Sequence, residues 1–118
     1  MNYSVRIVKQ AQKDMQDIYR YIAEDLQSPG AAYKRILLID EKIQSLKSNP
    51  ARFSLVKDDY LASKGFRFCI AKNHLVFFTI REEISTVSVM RVLYGRRDWV
   101  RILKVTYIAF ETISQRLG

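Results

Sequence analysis

Between Arg67 and Trp99 the sequence gathers the side chains best able to do chemistry: Arg67, Lys72, His74, Arg91, Tyr94, Arg96, Arg97 and Trp99. Arginines grouped on a sheet and its following turn could hold phosphate oxygens bidentately. They would also stabilise the charge that develops when a phosphodiester is cleaved. His74 or Tyr94 would then carry the proton. With no bond broken, the same groups make a positive surface for an acidic partner, and composition and spacing alone favour this plainer reading.

Other chemistries lack their residues. One histidine and one cysteine cannot build a zinc site from those ligands. Four glycines, none clustered, leave no phosphate-cradling loop, and no serine sits in a nucleophile-elbow context. A carboxylate pair would have to come from Asp58-Asp59, Glu82-Glu83 or Asp98, which read as solvated acids in turns. The expectation is therefore no cofactor and no metal. Cys69 reads as a free buried thiol in a strand. Trp99, with Ile102 and Leu103, reads as the anchor of a last helix on the sheet.

These residues need a scaffold, and 118 residues with 48% apolar and 27% charged side chains are enough for one globular domain. The net charge of +8 is unevenly placed. Residues 1–51 carry 8 basic and 6 acidic side chains, residues 52–104 carry 11 and 5, and the last fourteen balance. The positive field therefore belongs to the second half, where it would attract nucleic acid or an acidic protein. The first residues, Met1 to Arg6, have no signal-peptide pattern, and no apolar run reaches the roughly 18–20 residues that span a bilayer. A cytoplasmic protein without membrane contact is expected.

Residues 3–8 alternate as a first strand. Ala11, Met15, Ile18, Ile22 and Leu26 then mark one helical stripe, with Lys13, Asp14, Asp17, Arg20 and Glu24 placed mostly off it. Ser28-Pro29-Gly30 breaks the pattern and starts a second helix, with Ser28 as N-cap and Pro29 at the first helical position. Its buried face is Ala32, Ile36, Ile39, Ile43 and Leu46, and Asn49-Pro50 stops it. So short a turn makes an antiparallel hairpin of the two helices. After a polar connection from Ala51 to Lys64, residues 65–71, 75–81 and 85–94 read as three strands of an antiparallel meander. Residues 3–8 would add at an edge. From Arg97 a last helix carries Ile102, Val105, Ala109, Ile113 and Leu117 on one stripe. The fold class is α+β: strand, helical hairpin, meander, C-terminal helix.

Several segments resemble the RelE/ParE family of bacterial toxins. They are Ala11 to Ala23, Ser28 to Ala32, the helix exit Leu46-Lys47-Ser48-Asn49-Pro50, Gly65-Phe66-Arg67-Phe68, Asn73 to Phe78, and Met90 to Trp99. Their order and spacing run over residues 3–103, so the resemblance implies a toxin domain at 1–103 and an extension at 104–118. It also implies the toxic half of a type II toxin–antitoxin pair, with an antitoxin partner whose flexible segment folds over the toxin. The charge of residues 52–104 makes an acidic antitoxin the expectation.

The family divides by target. RelE-like members are ribosome-dependent mRNA endoribonucleases, which would put Arg67, Arg91 and Arg97 on phosphate and His74 or Tyr94 on proton transfer. Two positions depart from that pattern: His74 stands where a strand arginine is expected, and Leu103 where a C-terminal tyrosine is. ParE-like members inhibit DNA gyrase and share the Gly-aromatic-Arg strand and the histidine before the apolar strand. The resemblance is nearer to them, with Arg67, Lys72, His74, Arg96, Arg97 and Arg101 as target-binding candidates. A degenerate, non-toxic member is a third reading. The segment Lys104 to Gly118 runs past the usual family end. It is read as a helix on its own domain, a self-association surface or a cover for the toxin's own groove.

Overall fold

The structure, a computed structural model, describes residues 2–117. Strand β1 (Ser4–Ile7) leads into helix α1 (Lys9–Arg20), whose last turn widens into a π-helical segment at Tyr21–Asp25. There the Leu26 N–H donates to the Tyr21 carbonyl, five residues back, at 3.0 Å. Helix α2 (Pro29–Ser45) follows, with Pro29 at its start, where the missing N–H costs no hydrogen bond. Asn49 then takes a left-handed φ of 46° and turns the chain out of the hairpin. Helix α3 (Asp59–Ser63), strands β2 (Arg67–Ala71), β3 (His74–Arg81) and β4 (Thr86–Tyr94), and helix α4 (Trp99–Leu117) complete the chain.

The sheet order is β1-β4-β3-β2. The three later strands form the expected antiparallel meander, and β1 adds at the edge, parallel to β4. Alternating side chains feed two apolar layers. Cys69, Ala71, Val76, Phe78, Val87, Val89 and Val92 meet Ala11, Ile39, Ile43 and Leu46 of the hairpin. Phe77, Met90 and Leu93 meet Leu61 of α3 and Leu103 of α4 on the other face, with Phe66 from the turn before β2. Each fully buried Leu, Ile or Phe contributes about 1.5–3 kcal/mol, so the sheet is held from both sides. Cys69 lies in the first layer at 2% exposure, and burial pushes its thiol up to about 11, as befits an inert packing residue.

Three expectations need correction. The connection from Ala51 to Lys64 is not simply polar loop: it contains α3, buries Val56 and Leu61, and bonds to the outer edge of β2. The Val56 N–H donates to the Phe66 carbonyl (3.0 Å) and Phe68 to Ser54 (3.2 Å). Asp14, placed off the stripe of α1, is 6% exposed, while Leu26, placed on it, is 55% exposed. Finally, α4 is anchored by Trp99, Ile102 and Leu103 as expected, but the rest of its expected stripe is not buried. Leu103 is fully buried, Trp99 stacks 5.4 Å from Phe77, and Tyr107 lies 6.1 Å from Phe66. The stripe members Val105, Ala109 and Ile113 point to solvent, and the side chain of Leu117 lies outside the described residues.

A histidine-centred cleft at the end of the sheet

The two-residue turn at Lys72-Asn73 reverses β2 into β3, with Lys72 at a φ of 58°. It delivers His74 to the first position of β3, where it pairs across the strand with Tyr94, the last residue of β4. The two rings meet edge to face at 5.9 Å. Helix α2 closes over this pair with Arg35. One guanidinium nitrogen donates to Asn73 Oδ1 at 2.7 Å and lies 3.1 Å from His74 Nδ1.

That contact sets the state of the histidine. A guanidinium can only donate, so Nδ1 accepts and the ring proton sits on Nε2. Burial, and after it the positive charge of Arg35, lowers the His74 pKa to about 4. The imidazole is therefore neutral near pH 7. It is also far weaker as a base than a proton carrier tuned to neutrality would be.

His74, Tyr94, Asn73, Arg35 and Arg97 lie along one side of an open cleft of about 750 Å³. From α1 and the turn after it come the apolar Ile18, Tyr21, Ile22 and Leu26, together with the carboxylates of Asp14 and Asp17. The site thus sets apolar side chains beside charges of both signs, Arg35 and Arg97 with Asp14 and Asp17.

The remaining candidates are elsewhere. Arg67 lies on the hairpin side of β2 and donates to the Phe53 (2.6 Å) and Ala51 (3.4 Å) carbonyls, fastening the connection that precedes it. Arg91 is nearly buried against Asp14: Nε donates to Oδ2 at 2.7 Å and Nη2 to Oδ1 at 2.8 Å, with Nη1 on Thr106 of α4 at 2.9 Å. Lys72 and Arg96 are exposed on turns, and exposed Arg101 lies 3.6 Å from Asp98. Leu103, at the position where the resemblance would put a tyrosine, is core. The nearby Tyr107 hydroxyl bonds to Glu111, which raises its pKa to about 12.

The acids of the turns also have structural partners. Asp58 accepts the Leu61 N–H at 3.0 Å and caps α3; Glu83 pairs with Arg81 at 2.6 Å, and Glu82 accepts from Tyr3 at 2.8 Å. Among the described residues no cluster of three His, Cys, Asp or Glu side chains could hold a metal ion. No helix there is long and apolar enough to cross a membrane.

Arg35 and Asp14 were missed in the sequence, although their spacing carried a signal. Asp14 falls between Ala11 and Ile18, and Arg35 between Ala32 and Ile39, both at helical intervals of three and four. A charge on an apolar stripe is a charge facing the core, and it needs a partner there.

Residues 5–99 match the family described as the ParE toxin of the type II toxin–antitoxin system parDE. No curated protein matches the chain. Among solved structures, the fold is similar to a chain of the chromosomal ParDE system of P. aeruginosa, with a TM-score of 0.65, 17% identity, and 78% of this chain and 95% of that one covered. It is also similar to a free-state double-arginine mutant of the E. coli toxin RelE, with a TM-score of 0.61, 14% identity, and coverage of 92% and 99%. A chain of the RelBE2 toxin–antitoxin complex of Mycobacterium tuberculosis gives a TM-score of 0.58, 18% identity, and coverage of 80% and 99%. At these identities the likeness concerns the fold.

Proposed function

Because the chain belongs to the ParE toxin family of type II toxin–antitoxin systems, we propose that it arrests growth by binding DNA gyrase and is neutralised by a cognate acidic antitoxin. The observation that carries this reading is the state of the would-be nuclease groups. Arg91 is committed to Asp14, Arg67 to backbone carbonyls, and His74 is a buried neutral acceptor for Arg35. A ribonuclease of this type works by aiming free cations and a proton carrier at one phosphate. Here two of the three arginines are used by the fold itself. What remains open is a rigid cleft edge with Tyr94, Arg97 and the exposed Lys72, Arg96 and Arg101, suited to binding rather than cleavage.

Supercoiling of relaxed plasmid by purified gyrase tests this. Added toxin is expected to abolish supercoiling, and pre-mixing with antitoxin to restore it. Full supercoiling at micromolar toxin overturns the reading.

The alternative, ribosome-dependent mRNA cleavage, draws on one observation: Tyr94 and Arg97 are exposed at the same cleft as His74. Mapping of mRNA ends after induction separates the two, since a gyrase-directed toxin creates no new ends. If induced cells grow normally, the third reading, a non-toxic member, replaces both.

For the antitoxin, the cleft offers apolar Ile18, Ile22 and Leu26 beside Arg35 and Arg97. An amphipathic segment with an aliphatic anchor and a flanking carboxylate fits both walls.

A further inference from the structure

Helix α4 has two apolar faces. The inner one, Trp99, Leu103 and Tyr107, is consumed by the sheet and α3. The outer one is not: Val105 is 62% exposed, Ile108 57% and Ile113 57%, with exposed Ala109 between them. A helix that is apolar on both sides normally has something packed on both. The features of this outer face specify what that is.

The first feature is charge. In a chain of net charge +8, residues 105–118 carry one acid and one base, and none of the stripe residues is charged. An acidic partner would be drawn to the cations of residues 52–104, and this stripe offers it no attraction. Two copies of the same positive chain, by contrast, repel least where charge is missing.

The second feature is symmetry. Val105, Ala109 and Ile113 are spaced four and four, large–small–large, about Ala109. Under a two-fold axis at Ala109, Val105 of one copy meets Ile113 of the other, and the two alanines let the helix backbones come close. Such a pattern is self-complementary, as an isologous interface requires.

Position is the third. The chain leaves β4 at Tyr94, and α4 returns across the opposite sheet face to Phe110 and Glu111 beside Thr79, Thr86 and Ser88. None of the outer stripe lines the cleft holding His74 and Arg97.

We propose that the outer face of α4 is a homodimer interface, an antiparallel helix pair centred on Ala109 that leaves the histidine cleft open in both copies. The inference does not depend on the toxin reading, because it concerns the mass of the chain alone.

Sedimentation velocity of the full chain over a micromolar concentration range is the test, with Ile108→Glu and Ile113→Glu alongside and thermal melts to verify folding. The mass is expected to rise from 13.9 kDa toward twice that value in the native chain. Each glutamate variant should stay at the monomer mass with a cooperative melt, at most lowered by the lost association. A second variant, Ala109→Cys, should cross-link to a disulfide dimer under mild oxidation. The native thiol, Cys69, is 2% exposed and gives no background. A native chain that stays monomeric at all concentrations overturns the proposal. So does a dimer that survives both glutamates and fails to cross-link through position 109. A stripe whose glutamate variants lose only antitoxin binding, with the native chain monomeric, is an antitoxin surface, and this too overturns it.

Discussion

Arg91 of β4 and Asp14 of α1, 77 residues apart, form a bidentate ion pair with side chains only 12% and 6% exposed. The same carboxylate accepts the Val92 N–H at 2.9 Å, and the guanidinium reaches Thr106 on α4. The reason lies in the sheet. Strand β1 pairs with β4 only as far as Val89, so the edge of β4 beyond it needs another acceptor, and Asp14 supplies one. A bulge at Met90, where the register with β3 skips a residue, brings Arg91 into place beside it. One buried pair thus ties the hairpin, the sheet and the last helix together.

Removing one member leaves the other charged and buried. Asp14→Ala and Arg91→Ala are each expected to lose about 3–5 kcal/mol in urea unfolding, with the double variant losing less than the sum. Additive losses would mean that the two groups do not act as a pair.

His74 makes stability depend on pH. Its folded pKa, near 4, lies below the ordinary histidine value of 6.5, so between these values the unfolded chain binds the extra proton. This contribution to stability is fully present above pH 6.5 and is lost as pH falls toward 4. Melting temperature measured across that window should fall in the native chain and fall less in His74→Gln. Parallel profiles would remove His74 from the account.

Arg97 separates binding from folding. It is exposed and lines the cleft. Arg97→Glu should therefore leave the melting temperature unchanged and weaken growth arrest on induction. Full arrest by the variant would place target binding elsewhere.

Electrostatic attraction predicts salt dependence in the toxin–antitoxin pair. Association is expected to slow as ionic strength rises from 0.05 to 0.5 M, since the screening length drops below about 10 Å above 0.1 M. Stopped-flow or surface-binding kinetics with no salt effect would argue for a purely apolar contact.

The last helix depends on its inner face. Leu103→Ala, at a fully buried site beneath α4, should cost about 2–5 kcal/mol, whereas Val105→Ala, on the outer face, should cost little in the monomer. Equal costs, read by denaturant unfolding, would contradict the orientation of α4.

Periodicity alone was enough for the hairpin and the meander. Side chains recurring at three and four, or at two, follow directly from local backbone geometry. Ala32, Ile39, Ile43 and Leu46 are fully buried as their spacing predicts, and Ser28-Pro29 stands at the start of α2 as expected, although the Ser28 side chain makes no capping hydrogen bond. The family, too, was legible in ordered segments of the chain. Helix α4 was harder, because it bears two apolar stripes and periodicity cannot say which of them meets the sheet. The site was harder still. Arg67, Arg91 and Arg97 look alike in sequence, yet one holds backbone carbonyls, one is buried against Asp14, and one is free at the cleft. Only the tertiary structure could assign these roles, because each depends on a partner brought close by folding. The sequence by itself determined which residues are apolar, where the chain turns and how much charge it carries. Which charge ends in water and which in the core was decided by the meeting of α1, α2 and the sheet.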